Sequence, residues 1–401
     1  MKLHFRFDNI GKIALIQFFS SLYFYLPILT IYYQQRNLDF VQINSLVGII
    51  TGTIFLAEIP TGAIADKIGR KRSIVIALTL QLFGELFFLF AQNYVHFIFI
   101  SIIAGLGFAF QSGCTQALVY DSLKEENKEN EMKQAAGTIG AFFQSGHIIG
   151  AFLSSFIIVQ LTQPRIVLAI LLTVISVGIA LFLSLLLKEP KLEYKHSEES
   201  PLKIIKESIK LINTNSSLKR IILLGVLTTP FIGYLRNFHP PYFQLFNIPT
   251  MWLGLSLTIG GFLAILSSKY AYKFERALGV KTGMFLATIT PGIIYLLMFF
   301  ILHPILAVGF FILNFGLVNI QEPLFADYYN IHIKSEIRAT ALSTINMISS
   351  LYIALMGLVI GWIANYSLLY AFLFMGALII SGAVLFRIND THVKLTNDTA
   401  K

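Results

Sequence analysis

Long apolar segments recur along the whole chain, and short polar or charged stretches separate them. A helix needs roughly 20 apolar residues to cross the hydrocarbon core of a membrane, and twelve of the segments come close to that length. They lie at about 13–33, 43–65, 73–92, 96–120, 135–159, 165–187, 219–240, 251–272, 281–302, 304–329, 339–363 and 366–386. The pattern predicts an all-α membrane protein with twelve transmembrane helices. The seventh and tenth segments contain enough proline, asparagine and charge to predict irregular helices.

The composition excludes an ordinary soluble domain. Of the 401 residues, 56% are hydrophobic and only 13% are charged, whereas soluble domains carry about a quarter charged residues. The net charge of +9 would suggest a nucleic-acid partner in a soluble protein. Here the positions of the basic residues are instead explained by the predicted membrane spans. All 30 Lys and Arg residues except Arg36, Arg165 and Arg236 fall on one side of the predicted spans. Positive loops face the cytoplasm, so both termini are predicted to be cytoplasmic and the protein to lie in the cell membrane.

One long polar connection divides the chain into two halves of six spans. Within it, Ser200 and Pro201 are typical of a helix start, and apolar residues on one face then predict a short amphipathic helix on the inner leaflet. A solvated linker helix is the alternative. The predicted divisions are an N-terminal half at 1–187, the linker at 188–218, a C-terminal half at 219–386 and a tail at 387–401.

The connection between the second and third segments is short and charged. Gly62 has no Cβ and is expected to let its helix approach a neighbour closely, while Gly69 permits a tight turn. Asp66 lies at the C-terminal end of a helix, where the helix dipole disfavours a carboxylate. It therefore needs a partner such as an arginine or the N-terminus of another helix. The turn is followed by three basic residues expected on the cytoplasmic side, Arg70, Lys71 and Arg72.

The spacing Gly62-x3-Asp66-x2-Gly69-Arg70-Lys71-Arg72 resembles the loop 2–3 signature of the major facilitator superfamily. The resemblance implies two parallel six-helix halves, with the substrate bound near the midplane between them. It also implies that Arg70 pairs with Asp121, and that Asp66 faces the start of the eleventh segment near Glu336. These contacts would latch the cytoplasmic side. Two simpler readings stay open: a basic loop that only obeys the positive-inside rule, and an Asp121 that ends its helix in water.

The stretch Asn330–Ser343 resembles a bacterial branch of the superfamily associated with drug efflux. This resemblance implies proton-coupled export of a small, amphipathic molecule. Two antiporter motifs are altered. Ser101 stands where an arginine is expected before Gly105-Leu-Gly107, and in Gly146-His147-Ile-Ile-Gly150-Ala151 the histidine replaces a proline. The glycine spacing of the second motif still permits close helix packing.

Ionisable residues within spans are candidates for function, because each costs several kcal/mol unless it is partnered or hydrated. In the resembled fold, spans 1, 4, 7 and 10 line the cavity, which ranks Glu322 first and His147 second as proton carriers. Glu58 is expected to hold helices near the charged loop, with a role in proton coupling or substrate binding as the alternative. Arg236 is expected to snorkel to the outer headgroups, to bind an acidic group or to pair with Glu322. Glu85 is expected to face the periphery as a packing contact.

Polar and aromatic side chains accompany these residues on the presumed cavity helices. The predicted cavity-lining residues are Gln17, Tyr25, Gln111 and Asn314. Aromatic residues make up 14% of the chain, which suits an amphipathic or aromatic solute. The expected partners are that small molecule, protons and the lipid bilayer, and monomers are usual in the resembled superfamily.

Several other classes of protein find no support in the sequence. No nucleotide-binding P-loop, no His-Glu-x-x-His and no Gly-x-Ser-x-Gly occurs, so neither a cofactor, a metal nor an enzymatic activity is predicted. The competing functions are a metabolite or nutrient symporter or facilitator, and a membrane sensor built on the same fold that does not transport.

Overall fold

The computed structural model describes residues 8–190, 216–228, 231–333 and 338–388, and every regular element in these ranges is helical. The helices are α1 Asn9–Ser20, α2 Leu29–Gln34, α3 Phe40–Ile68, α4 Arg70–Phe90, α5 Tyr94–Gln111, α6 Cys114–Glu125, α7 Met132–Ile157, α8 Gln163–Leu185, α9 Ser216–Thr228, α10 Phe231–Leu245, α11 Met251–Leu278, α12 Val280–Phe300, α13 Pro304–Leu317, α14 Gln321–His332, α15 Arg338–Tyr366 and α16 Leu368–Leu385. Short 3-10 turns lie at Leu26–Ile28, Glu129–Glu131 and Val318–Ile320.

The predicted all-helical membrane fold is confirmed. Eleven helical stretches of the described chain are long and apolar enough to cross a membrane. The first predicted span is not among them, because it is divided into α1 and α2 by a non-helical segment. The tenth span is irregular as expected, with a 3-10 turn between α13 and α14. The amphipathic linker helix lies outside the described residues.

The outer surface of the spans is strongly apolar, as a bilayer requires. Leu56, Phe90 and Ile305 are between 71% and 75% exposed, and each lies on a long helix. Large apolar side chains with this exposure are unfavourable in water. In a bilayer they contact lipid tails, while the helical backbone satisfies its own hydrogen bonds.

Contacts between residues divide the chain into two compact units. The first unit comprises Met1–Leu38, Leu46–His196 and Pro249–Thr258, and the second comprises Asp39–Ser45, Ser197–Ile248 and Ile259–Lys401. The division departs from the predicted halves at the starts of α3 and α11. The start of α3 belongs to the second unit because Asn44 Nδ2 donates to the carbonyl of Gly357 at 3.1 Å.

Each unit has its own apolar core. In the first unit, α4 packs Ile74 and Leu78 against Leu118 of α6 and Ile16 of α1. In the second, Leu324 and Phe325 of α14 pack with Met284 of α12 and Ala383 of α16. These cores hold the helices that carry the candidate functional residues.

Candidate functional site

The charged connection between α3 and α4 forms the tight turn that its glycine predicts. Gly69 has φ +96°, a conformation that side chains other than glycine rarely adopt. One residue later, Arg70 Nε lies 2.9 Å from Asp121 Oδ2, which is the pairing expected from the resemblance. Asp121 is only 8% exposed, so a buried carboxylate here has a cation as partner. That this pair latches a conformation stays a prediction.

Glu189 is part of this turn and was missed by the sequence analysis. Its two carboxylate oxygens accept hydrogen bonds from the backbone N–H groups of Arg70 and Lys71, each at 2.7 Å. These N–H groups open α4 and have no acceptor within the helix. The carboxylate therefore caps the helix and also faces the positive end of its dipole. A Cβ on Gly69 would lie 2.9 Å from the Glu189 carboxyl carbon.

Other expectations for this loop differ in outcome. No atom lies within 4 Å of the place where a Cβ on Gly62 would stand, so the expected close helix approach there is wrong for the described chain. The reason is that Gly62 lies on an exposed face of α3. Asp66 and Arg72 are exposed and Lys71 is half-buried. The start of the eleventh segment, which Asp66 is expected to face, lies partly outside the described residues.

The first span is interrupted between α1 and α2, and side chains from neighbouring helices satisfy the freed backbone groups. Gln81 Nε2 of α4 donates to the carbonyl of Ser20 at 3.0 Å. Thr173 Oγ1 of α8 accepts from the N–H of Phe24 at 3.1 Å, and Ser176 Oγ donates to the carbonyl of Phe19 at 2.8 Å. The interruption of the first span is thus stabilised by hydrogen bonds from α4 and α8.

The altered antiporter motif on α7 packs directly against this interruption. A Cβ on Gly146 would stand 2.5 Å from the carbonyl oxygen of Phe18, and one on Gly150 would stand 2.8 Å from that of Tyr23. Between the two glycines, the ring of His147 stacks on Tyr23 with centroids 6.4 Å apart. The expected close packing at this motif is confirmed, and its partners are the last turn of α1 and the non-helical segment that follows it.

Glu85 corrects an expectation from the sequence. It is 8% exposed rather than peripheral, and Tyr25 donates its hydroxyl proton to Glu85 Oε2 at 2.8 Å. The Tyr23 hydroxyl lies beside the same carboxyl group and accepts from Gln81 Nε2 at 2.9 Å. Glu85 faces inward because Gln81 and Glu85, one helical turn apart, both contact the interrupted first span.

A cavity of about 610 Å³ lies in the first unit. It opens beside Ser112 and Gly113, where the fourth span is interrupted between α5 and α6. Two of the predicted residues, Gln17 and Gln111, line it. Glu58 lies near its edge, with Oε1 accepting from Ser112 Oγ at 3.4 Å. The remaining lining residues are Phe108, Thr115, Gln116, Val119, Met132, Ala136, Ile139, Gly140 and Phe143.

A second cavity, of about 450 Å³, lies within the second unit and contains Glu322. Glu322 follows the 3-10 turn that interrupts the tenth span, in the first turn of α14. Asn319 lines the cavity from the same interruption, and Asn346 and Ser349 line it from α15. The site therefore combines a carboxylate with neutral hydrogen-bonding groups. Its other lining residues are Gly225, Ile232, Val318, Phe325, Ala326, Tyr329, Leu342 and Ile345.

Arg236 and two predicted cavity residues have distinct surroundings. Arg236 lies one helical turn beyond Ile232 on α10, so it shares the face that lines the second cavity. No ion pair joins it to Glu322 in the part of the chain that the structure describes. Asn314, 1% exposed, and Tyr25, 5% exposed, are buried in helix packing and line neither cavity.

Each of the two compact units thus contains a cavity lined in part by polar side chains, on helices that are long and apolar enough to cross a membrane. Residues 13–355 match the model of the Major Facilitator Superfamily. The chain belongs to this superfamily, and it is a multi-pass membrane protein and a secondary transporter rather than an enzyme.

Relatives and solved structures agree with that assignment. The chain is 22% identical over 381 residues to the uncharacterized MFS-type transporter YxaM of Bacillus subtilis (strain 168), with 92% of this chain and 93% of the relative covered. A mutant of the nucleoside transporter NupG has a similar structure, with a TM-score of 0.81, 14% identity, and 95% and 99% of the two chains covered. A D-xylose-proton symporter gives a TM-score of 0.70 at 14% identity, with 96% and 97% covered. At these identities the likeness of the structures shows the fold.

We predict that Glu189→Ala lowers the thermal stability of the detergent-solubilised protein. The substitution leaves the first N–H groups of α4 without their acceptor, and loss of a helix cap costs about 1 kcal/mol. The measurement is the midpoint of thermal unfolding. Glu126→Ala is the matched control, because Glu126 is exposed and pairs only with Lys128 at the surface. Equal midpoints for the two variants would contradict the capping role.

We predict that Gly150→Ala destabilises the protein or abolishes its expression, while Gly140→Ala does not. Both glycines lie on α7, but a Cβ at Gly150 would meet the Tyr23 backbone, whereas none of the described atoms lies within 4 Å at Gly140. Overpacking of this kind costs about 1–3 kcal/mol. Thermal unfolding and yield of monodisperse protein report the difference. Equal unfolding midpoints and yields for the two variants would show that the backbone around Tyr23 can move to accommodate the added methyl group.

Proposed function

We propose that this secondary transporter exports a small, amphipathic molecule across the cytoplasmic membrane in exchange for protons. The observation that carries the proposal is Glu322, a carboxyl group within a span that lines a cavity of about 450 Å³. Carboxyl groups inside membrane spans are rare and mark ion or proton pathways. Its place at an interrupted helix also fits the construction of transporter binding sites.

The surroundings of Glu322 support a site that exchanges protons. Asn319 and Asn346 provide amide groups, and Tyr329 provides an aromatic wall with a hydroxyl. Among the described residues no basic side chain forms an ion pair that would neutralise the charge of Glu322. A proton from water or a charged group of the substrate can supply that neutralisation.

The cavity of the first unit supports an amphipathic substrate. Gln17 and Gln111 offer hydrogen bonds, and Phe108 and Phe143 offer apolar rings. His147 lies one turn beyond Phe143 on α7, and the two rings meet edge to face at 4.7 Å. His147 is therefore the second candidate for a coupling group, since histidine titrates near neutral pH.

A second candidate function is the import or release of a hydroxyl-bearing metabolite by a symporter or facilitator. The observation that favours it is the number of neutral amide side chains at both cavities, which suit hydroxyl groups. NupG is named as a nucleoside transporter and a further similar structure as a D-xylose-proton symporter. The resemblance of Asn330–Ser343 to the efflux branch favours export.

We predict that Glu322→Gln abolishes substrate-dependent proton movement. Purified protein is reconstituted in liposomes that contain a pH-sensitive dye, and amphipathic cations, amphipathic anions and sugars are added in turn. Wild type should give a dye signal with at least one compound. Glutamine keeps the size and hydrogen bonding of Glu322 but cannot bind and release a proton, so the signal should be lost while the compound still binds.

His147→Ala is measured beside it, and Glu126→Gln serves as a control at an exposed cytoplasmic position. Flux without proton movement that is unchanged in Glu322→Gln and His147→Ala would contradict proton coupling and leave a facilitator. Binding without flux in any orientation would favour a sensor. Uptake of a single sugar class, with no export of amphipathic compounds, would replace the export proposal by the symporter.

A further inference from the structure

Glu85 is a further carboxyl group within a span, and it lines neither cavity. It lies on α4 about 8 Å from the outer end of the helix, at 1.5 Å per residue. It is 8% exposed, and ionised groups at such positions are unfavourable unless a partner or water compensates them. If Glu85 only filled space, an apolar residue of similar size would give a more stable fold, because it carries no cost of removing a carboxyl group from water.

We propose that Glu85 is a proton-binding site of this transporter, formed with Tyr23 and Tyr25 at the interruption of the first span. The proposal deepens the proposed proton coupling and rests on it for the transport measurement below. A proton from water converts the glutamate anion to the neutral acid, and its release restores the anion, so no other reactant is needed.

The groups around Glu85 can serve both protonation states. Tyr25 donates to Oε2, and this bond suits either a carboxylate or the carbonyl oxygen of the acid. The Tyr23 oxygen accepts from Gln81, which leaves its proton free to be donated to an ionised Glu85 and a lone pair free to accept from a protonated one. Tyr33 of α2 lies close enough to interact electrostatically with the carboxyl group.

Charged and titratable groups elsewhere around the site are few. Of the neighbouring helices, α8 contributes the Thr173 hydroxyl near the interruption and α5 contributes the ring of Phe97, neither of which ionises. His147 of α7 stacks on the ring of Tyr23. In the described chain no basic side chain forms an ion pair with Glu85.

Aromatic rings and an arginine separate Glu85 from the outer end of the span. Phe88 stacks on both Tyr25 and Tyr32 with centroids 4.8 Å apart. The Arg36 guanidinium lies 3.5 Å above the Tyr32 ring and Nε donates to the carbonyl of Ala91 at 2.7 Å. In this conformation, water from the outer side meets the arginine and three stacked rings before it reaches the carboxyl group.

The opposite side of the site leads towards the cavity of the first unit. Tyr23 is half-buried, and its ring stacks on His147, which in turn contacts Phe143. Phe143 lines the cavity together with Gln17. Protons therefore exchange with Glu85 from the cavity side, past Tyr23 and His147.

Binding of a proton at Glu85 is coupled to the shape of the first span. Gln81 holds Ser20 at the start of the interruption, and Glu85 holds Tyr25 near its end. Loss of the proton creates a buried negative charge, which water can solvate only if the contacts around Tyr23 and Tyr25 open. Protonation of Glu85 therefore favours the closed interruption described here.

Infrared spectroscopy tests the proton site without any substrate. Reconstituted protein is titrated from acidic to alkaline buffer, and the C=O stretch of protonated carboxylic acids is followed. A component of this band should be lost in Glu85→Gln and retained in Glu322→Gln. In Tyr25→Phe the component should remain but move to higher frequency, because the C=O loses a hydrogen-bond donor. A complete band in Glu85→Gln, or an unshifted one in Tyr25→Phe, would overturn the proposal.

The liposome measurement with the pH-sensitive dye gives a second, separate outcome. Proton movement lost in Glu85→Gln, with exchange of the same compound across the membrane retained, supports the site. Wild-type proton movement in Glu85→Gln overturns it and leaves the proposed coupling intact. If wild type moves no protons with any compound, the proposed coupling fails, and the infrared result still decides whether Glu85 binds a proton.

Discussion

A membrane interior offers no hydrogen-bonding partner to a free peptide group, and the interrupted first span meets this constraint through three neighbouring helices. Gln81 of α4 and Ser176 of α8 satisfy carbonyl groups at the end of α1, and Thr173 satisfies the N–H of Phe24. Ser21 ties the segment to the carbonyl of Phe143 on α7. Because each freed backbone group needs a hydrogen-bonding partner, the interruption fixes the packing of the neighbouring helices. This packing positions Glu85 on α4 and His147 on α7 beside the interruption.

The same constraint links the cavities to interruptions elsewhere in the chain. The fourth span is interrupted at Ser112 and Gly113, which line the first cavity, and the tenth is interrupted at Val318–Ile320, beside the second. Non-helical backbone at membrane depth is tolerated where protein or a water-filled cavity surrounds it. The resemblance to the superfamily implied that spans 1, 4, 7 and 10 line the cavity. The interruptions give a physical reason, within each unit, for polar groups to collect on spans 1, 4 and 10.

The spans and the Gly69 turn could be predicted because each depends on nearby residues, and the Arg70–Asp121 pair because a recognised motif specified it. Glu189 could not, because its partners lie 119 residues away and no local pattern links them. Glu85 was misplaced because the first span was expected to be one continuous helix, which hides Tyr25, 60 residues distant. The recurrence of Gln81 and Glu85 one turn apart on α4 was the available signal that this helix face is polar.

The distribution of charge around the two cavities bears on what each unit recognises. No ionisable side chain lines the described cavity of the first unit, whereas Glu322 lines that of the second and Arg236 lies one turn from its lining residue Ile232. Among the described lining residues, a charged group on the substrate finds a counter-charge at the second cavity, and Glu58 lies near the edge of the first. The amides and rings of the first cavity suit neutral parts of the substrate. Glu85 of the first unit is buried beside Tyr23 and Tyr25 and lines neither cavity. In this arrangement Glu85 would bind a proton apart from the substrate, while Glu322 stays available either to a proton or to a charged group of the substrate, and competition for that one carboxylate is by itself enough for exchange.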